Sequence, residues 1–291
     1  MLPRANSYIY SSLHFLRSAI SILKWNPLML KNTHPFHIVA PSPWPLVTSL
    51  ILLSAASMLI QNLHFNRISL ISLAILIQVI IATAAIWWRD VKREATIQGH
   101  HTSRTLFLLK YRIIIFIISE VIFFLRFFWA YFHRRISPNI ELGRRWPPNR
   151  LKIFNPIEIP LLNSIILLSS GATITWAHHS FLNSNINKRL TALIITITLG
   201  ILFSGCQGIE YIDANFTFSD SVYGSTFFLA TGFHGIHVLI GTIFLIVTAK
   251  RIYSIQNSTN HFICFDLSAW YWHFVDVVWL FLFISIYWWG S

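Results

Sequence analysis

Long apolar stretches separated by short polar breaks recur along the whole chain. Each stretch is long enough to cross the roughly 30 Å hydrocarbon layer of a bilayer as a helix. Strands of a membrane barrel would alternate apolar and polar positions, whereas the stretch LVTSLILLSAASMLI is apolar on every face. The pattern predicts an all-α, polytopic membrane protein with seven transmembrane helices. We place them near residues 44–62, 68–88, 106–132, 157–180, 190–211, 222–249 and 267–289.

The composition supports a membrane protein. Of the 291 residues, 55% are hydrophobic and 11% are charged, and the mean hydropathy is +0.59, which excludes a soluble globular domain. The formal net charge is +12, but the basic residues flank apolar stretches, so we expect no nucleic-acid partner. The two cysteines, Cys206 in a predicted helix and Cys264 in a predicted loop, are too few for a disulfide framework and lack metal-ligand spacing.

Lysine and arginine in the short loops predict the orientation in the membrane. The N-terminal arm and the loops after the second, fourth and sixth helices are basic and lie on one side of the membrane. We therefore expect the N-terminus inside and the C-terminus outside. The arginines of the third helix and of the loop that follows it break this rule. They are Arg126, Arg134, Arg135, Arg144, Arg145 and Arg150.

No polar linker separates soluble domains, so one membrane domain is the simplest organisation. The longest inner break, RDVKREATIQGHHTSR, follows the second helix. The first two helices could therefore pack as a pair apart from the other five, with a cleft between the groups. Arg93 belongs to a basic cluster at headgroup level, beside the hydrogen-bonding groups of Glu94, Thr96 and His101. This combination favours a phospholipid site, with general anchoring of the helix end as the alternative.

Glu120 is the sharpest functional candidate because a carboxylate inside a membrane helix is costly unless it has a purpose. It could exchange protons, or it could form a structural hydrogen bond to a neighbouring helix, and the sequence favours neither. Arg126 is a poor partner on the same helix. Six residues at about 100° each leave the two side chains about 120° apart.

The spacing of the histidines favours packing over metal binding. His234 and His237 share a helix face, but a metal site would need two more ligands from another helix. Three glycines lie around them, as in tightly packed membrane helices, and we expect a packing role for these: Gly232, Gly235 and Gly241. His273 and Asp276 are also three residues apart. We expect either a hydrogen bond between these two side chains or a contact of Asp276 with a neighbouring helix.

Two other function classes fit the sequence less well. A proton-coupled transporter would also carry an intramembrane glutamate, but the inverted repeats and broken helices of such transporters are not visible. A haem-bearing membrane cytochrome would need histidines that face each other on neighbouring helices, and the spacings do not provide them.

Several motifs resemble one known family at its own order and spacing. They are WWRDVKREATIQGHHT, FIISEVIFF, GSTFFLATGFHGIHVLIGTIFL and the C-terminal AWYWHFVDVVWLFLFISIYWWGS. Together they resemble subunit III of the haem-copper cytochrome c oxidases, in its mitochondrially encoded form. The resemblance runs from about His34 to Ser291. We therefore divide the chain into an N-terminal extension, residues 1–30, and a seven-helix membrane domain, residues 31–291.

The resemblance implies two plus five helices around a V-shaped cleft filled with structural phospholipids. It implies no catalytic redox centre in this chain, because haem a, haem a3, CuA and CuB belong to partner subunits I and II. The complex takes electrons from cytochrome c, reduces O2 to water and pumps protons across the mitochondrial inner membrane. With the orientation above, the N-terminus would lie in the matrix and the C-terminus in the intermembrane space. The family's subunit III stabilises the catalytic core and supports proton uptake.

The resemblance also implies roles for individual residues. Glu120 matches the family's carbodiimide-reactive glutamate. Lys110 stands where the family has an arginine, so a bidentate phosphate contact would become a point-charge contact. The implied lipid-contacting positions are Arg93, Glu94, Thr96, His101 and Lys110.

Seven departures from the family are all arginines, in places where it has glycine, serine or other small or neutral residues. Random divergence would scatter over residue types. Several invertebrate mitochondrial codes read AGA and AGG as serine or glycine, whereas the standard code reads arginine. We hypothesise that these arginines are mistranslated codons, most consistently of serine. The seven positions are Arg112, Arg126, Arg134, Arg135, Arg144, Arg145 and Arg150.

Overall fold

A computed structural model describes most of the chain. The described residues are 37, 39, 41–65, 70–99, 101–138, 143–148, 151–183, 185–254 and 263–290. The predicted N-terminal extension and Arg150 lie outside them. Within these ranges the regular structure is entirely helical, as predicted.

Seven helices are long and apolar enough to cross a membrane in the part of the chain that the structure describes. This confirms the predicted fold class. A π-helical turn, Phe283–Trp288, continues the last helix. The helices are α1 (Trp44–Phe65), α2 (Leu70–Thr96), α3 (Ser103–Ile136), α4 (Ile159–Leu182), α5 (Ile186–Ile212), α6 (Ser221–Tyr253) and α7 (Ile263–Leu282).

Most helices extend beyond the apolar stretches that predicted them. Helix α3 has 34 residues and includes Arg134 and Arg135 in its last turn, whereas the prediction ended at residue 132. Hydropathy marks the hydrocarbon layer alone, and a helix continues into the headgroup region because its backbone satisfies its own hydrogen bonds. The prediction of Cys264 in a loop was wrong for the same reason. Cys264 lies in the first turn of α7, and its Sγ atom is 3.5 Å from Oγ1 of Thr248.

The chain divides into two compact units, Met1–Thr105 and Leu106–Ser291. The first contains α1 and α2, which pack on each other. The second contains nearly all of α3 and the whole of α4 to α7. The first two helices thus form a unit of their own, as expected, and the lipid-filled cleft stays a prediction.

Two tryptophans of α7 hold the second unit together. Trp272 Nε1 donates to Oγ of Ser170 at 2.9 Å, and Trp279 Nε1 donates to Oγ of Ser164 at 3.0 Å. Both indoles are fully buried, and both serines lie on α4. Because a buried indole N–H needs an acceptor, these two bonds fix the register of α7 against α4.

Small residues make room for these indoles. A Cβ atom on Gly200 of α5 would lie 2.6 Å from the ring of Trp272, and one on Gly241 of α6 would lie 3.0 Å from it. The predicted packing role therefore holds for Gly241. It does not hold for Gly235, where an added Cβ would meet no atom within 4 Å.

Candidate functional site

Glu120 and His237 form a hydrogen-bonded pair between α3 and α6. His237 Nε2 lies 3.0 Å from Oε2 of Glu120, and His237 Nδ1 lies 2.7 Å from the carbonyl oxygen of Phe233. A carbonyl oxygen only accepts, so Nδ1 must carry a hydrogen. The pair therefore has two protonated forms, a neutral imidazole with a carboxylic acid or an imidazolium with a carboxylate. In either form one proton lies between Nε2 and Oε2.

Aromatic rings enclose this pair. Phe124 meets the imidazole edge to face at 5.3 Å, Tyr271 stacks on it at 6.3 Å and Phe274 packs at 6.0 Å. The His237 side chain is 10% exposed and that of Glu120 is 22% exposed. Little solvent screening is available to a charge at this position, which strengthens the interaction between the two groups.

The pair joins two residues that the sequence treated separately. Glu120 was predicted as a proton-exchanging group or an interhelix hydrogen-bonding group, and the structure shows the interhelix bond, which is compatible with both roles. No local signal could pair residues 117 positions apart. Arg126 is exposed on α3 and makes no ion pair with Glu120, as its place on the helix predicts.

His234, the other histidine of this motif, is fully buried. Its Nε2 lies 3.1 Å from the carbonyl oxygen of Val275, so Nε2 carries the hydrogen, and its Nδ1 has no hydrogen-bond partner. The ring packs between Phe203 and Trp279. This arrangement links α6 to α7 by packing and one hydrogen bond. No cluster of three metal-binding side chains occurs within the described ranges.

Asp276 contacts a neighbouring helix. Its Oδ2 atom lies 2.9 Å from the position that a Cβ on Gly171 of α4 would occupy, and its Oδ1 atom has no hydrogen-bond partner. Its side chain makes no hydrogen bond to His273 in the described structure. Of the two arrangements expected from the sequence, the contact with a neighbouring helix is the one that occurs.

Lys110 pairs with an aspartate that the sequence did not single out. Lys110 Nζ lies 3.1 Å from Oδ2 of Asp266 in the first turn of α7, and His178 Nε2 lies 3.9 Å from the other oxygen. The ammonium is also 5.9 Å from the ring of Trp270. The Lys110 side chain remains 39% exposed. The lipid contact expected of Lys110 would therefore involve an ammonium group that already pairs with Asp266.

A pocket of about 440 Å³ lies within the first unit. Arg93 and Glu94 line it, and Asp90 adds a second carboxylate that the sequence did not single out. The wall is fixed by Trp44, whose Nε1 donates to Oδ2 of Asp90 at 2.8 Å. The complete lining is Pro41, Ser42, Pro43, Trp44, Asp90, Arg93, Glu94, Ile97 and Gln98.

His101, another predicted lipid-contacting residue, lies close to this pocket. His101 packs edge to face against His37 at 5.5 Å, and His37 Nε2 lies 3.6 Å from Oε2 of Glu94. His101 is thus connected to the pocket wall through His37. The side chain of Thr96 lies outside the described part of the structure.

Six of the seven unexpected arginines are described. Five are exposed, and the sixth, Arg135, lies over the ring of Trp289 at 5.5 Å. Arg144 has a φ of 55°, in the left-handed region that favours glycine. No ion pair of these arginines occurs among the described residues. The exposed five are Arg112, Arg126, Arg134, Arg144 and Arg145.

Comparison with known proteins identifies the family. The family model described as cytochrome c oxidase subunit III matches residues 34–291. The chain belongs to the cytochrome c oxidase subunit III family. Cytochrome c oxidase subunit 3 of Ornithorhynchus anatinus is 54% identical over 263 residues, which cover 90% of this chain and the whole of that relative. The proteins of the same name from Madoqua guentheri and Pelomedusa subrufa are 54% and 52% identical over the same lengths.

Membership of the subunit III family makes the chain a subunit of an oxidoreductase complex. The seven membrane-spanning helices agree with this place in a respiratory membrane. Both ring nitrogens of His237 bind protein groups. In this subunit III chain the motif GFHGIHV therefore links helices to one another.

Proposed function

We propose that this chain is the non-redox third subunit of a mitochondrial cytochrome c oxidase. It would assemble with subunits I and II, which hold haem a, haem a3, CuA and CuB, and would meet cytochrome c through the complex. It would stabilise the catalytic core, support proton uptake and hold structural phospholipids. Family membership and the apolar surface of α3 to α7 support this proposal.

The proton-related role rests on the pair of Glu120 and His237. With Nδ1 bound to a carbonyl oxygen, loss of the shared proton would leave a carboxylate facing an imidazole lone pair. Two acceptors at 3.0 Å repel each other, so this contact is a hydrogen bond only while the shared proton is present. A proton that can move the short distance between Nε2 and Oε2 suits a group that takes part in proton uptake.

The test of this role is proton uptake during turnover of the assembled oxidase carrying Glu120→Gln. The amide keeps the shape of the side chain but cannot release a proton. We expect electron transfer to remain largely intact while proton uptake in sustained turnover falls. The matched control is Glu158→Gln, which changes an exposed carboxylate and should leave both rates unchanged. Complete loss of oxidase activity in an assembled Glu120→Gln complex, or unchanged proton uptake, would overturn the proposal.

The lipid-binding role rests on the pocket beside Arg93. A guanidinium binds a phosphate through two parallel hydrogen bonds, and the carboxylates of Asp90 and Glu94 suit the ammonium group of a zwitterionic headgroup. Trp44 at the pocket wall is typical of the headgroup level of a membrane. Lys110 would supply a further point charge to a second lipid phosphate while it stays paired with Asp266. Structural phospholipid would therefore remain with the purified complex.

The proposed location is the mitochondrial inner membrane, with the N-terminus in the matrix. The basic start of α5, at Lys188 and Arg189, and the basic end of α6, at Lys250 and Arg251, support this orientation through the positive-inside rule. Protease access to a tag at the C-terminus of the chain in intact mitoplasts tests this orientation. Cleavage in mitoplasts supports it, and protection there contradicts it.

A further inference from the structure

A second buried carboxylate lies on α5, away from the pair of Glu120 and His237. Glu210 has no exposed surface, and Gln207, one turn earlier, is 6% exposed. The Nε2 atom of Gln207 donates to Oε2 of Glu210 at 3.2 Å. The remaining two oxygens, Oε1 of Gln207 and Oε1 of Glu210, have no hydrogen-bond partner. Buried polar atoms are nearly always hydrogen-bonded, so these two oxygens require an explanation.

A third unsatisfied group lies close to them in the helical turn that follows α7. The hydroxyl of Tyr287 lies beside both Glu210 and Gln207, is buried, and meets the geometry of a hydrogen bond to neither. Tyr287 belongs to the π-helical turn Phe283–Trp288. Such turns are rare and occur frequently at functional sites. Here the turn brings a phenol to face the carboxyl and amide oxygens.

The surroundings of Glu210 are aromatic and carry no compensating charge. Phe227 and Trp279 pack on the ring of Tyr287 at 5.5 Å and 5.8 Å. The neighbouring hydroxyl of Tyr211 is already bound to Oγ1 of Thr231 at 2.7 Å. No cation forms an ion pair with Glu210 among the described residues. An isolated carboxylate in such surroundings is strongly disfavoured, and a carboxylic acid is the form that fits.

Unsatisfied polar atoms also occur on α4. Both amide atoms of Asn163 lack partners although the side chain is fully buried. Asn163 lies near the start of α4, which packs against α5 and against the π-helical turn. Polar atoms that protein neighbours leave unsatisfied are where buried water is found.

We propose that Gln207, Glu210 and Tyr287 form an internal water-binding site that holds an exchangeable proton. Glu210 is a carboxylic acid whose Oε1–H donates to a bound water molecule. Tyr287 donates its hydroxyl hydrogen to the same water, and the water donates to Oε1 of Gln207. This arrangement satisfies the orphaned atoms of Gln207, Glu210 and Tyr287. The site is separate from the pair of Glu120 and His237 and does not depend on the function proposed for that pair.

The test is infrared spectroscopy of the assembled oxidase in H2O and D2O. We expect Glu210→Gln to remove a carboxylic acid C=O band that shifts in D2O, because the proton is exchangeable. The exposed Glu158→Gln is the matched control and should retain that band, as should Glu120→Gln. If no carboxylic acid band is lost in Glu210→Gln, the carboxyl group is not protonated and the proposal fails.

Tyr287→Phe provides an independent test, which also serves if Glu210→Gln does not assemble. Removal of the phenol hydroxyl takes one donor from the bound water while leaving the ring to pack. The Glu210 band should therefore shift in frequency in Tyr287→Phe, because its water acceptor has changed. A band at an unchanged frequency would show that no water connects Tyr287 with Glu210, and would overturn the proposed site.

Discussion

The imidazole of His237 joins two helices, because Nε2 lies 3.0 Å from the carboxyl group of Glu120 and Nδ1 is bound to the carbonyl oxygen of Phe233. The second contact fixes which ring nitrogen carries a hydrogen. It thereby makes Glu120 and His237 a unit that holds one proton between α3 and α6. The proton-related role that we propose for this subunit rests on that unit as a whole.

Replacement of His237 by asparagine should therefore resemble Glu120→Gln in its effect on proton uptake. The variant removes the group that shares the proton and leaves the carboxyl group with less support. It also removes a buried hydrogen bond to an ionisable group, which contributes about 1.5–3 kcal/mol, so the thermal stability of the complex should fall modestly. Proton uptake during turnover and a thermal denaturation curve measure the two effects. Unchanged proton uptake would contradict the role of the pair.

Arg93→Ala should release phospholipid from the purified complex. Arg93 lines the pocket of the first unit and supplies its guanidinium, so its removal takes away the group that we propose binds the phosphate. The matched control is Lys92→Ala, which changes an exposed basic residue of the same cluster that does not line the pocket. Quantitative lipid analysis should show a loss in Arg93→Ala alone. Equal lipid content in both variants would count against a specific site.

Gly200→Ala should destabilise the second unit. Its new methyl group would lie 2.6 Å from the buried ring of Trp272, and Trp272 is held by its bond to Ser170. Overpacking of this kind typically costs about 1–3 kcal/mol. Gly208→Ala on the same helix is the control, because an added Cβ there meets no atom within 4 Å. Thermal denaturation should distinguish the two variants, and equal midpoints would show that Trp272 can move.

Peptide mass spectrometry of the protein from its native membrane tests the seven unexpected arginines. We expect serine or glycine masses at positions 126, 134 and 135, and no tryptic cleavage there. An exposed guanidinium within a membrane helix costs at least about 2.5 kcal/mol, and no ion pair in the described structure offsets this at Arg126. Arg93, which is not one of the seven unexpected arginines, is the internal control and should retain its arginine mass. Arginine masses at all three positions would show that the written charges are real.

The helices could be predicted from the sequence, because the length and apolarity of each stretch are local properties. The ends could not, as α3 shows by continuing through Arg134 and Arg135 into its last turn. Glu120 stood out because a carboxylate within an apolar stretch is rare. Its partner His237 did not, since the packing of α3 against α6 joins residues 117 positions apart.

Glu210, unlike Glu120, could not be selected from the sequence. It lies at the end of an apolar stretch, where a carboxylate is ordinary, so its position along the chain does not distinguish it. Tyr287, which lies beside it, belongs to the π-helical turn, and hydropathy carries no signal for such a turn. The pairing of Lys110 with Asp266 was hidden in the same way, since 156 positions separate the two residues.

The most direct test of the single-proton unit is a double-mutant cycle on proton uptake. Glu120→Gln, His237→Asn and the double variant are compared in the assembled oxidase under sustained turnover. Because both residues hold the same proton, the double variant should lose no more proton uptake than either single variant. Additive losses in the double variant would contradict the account, since they would mean that Glu120 and His237 act independently.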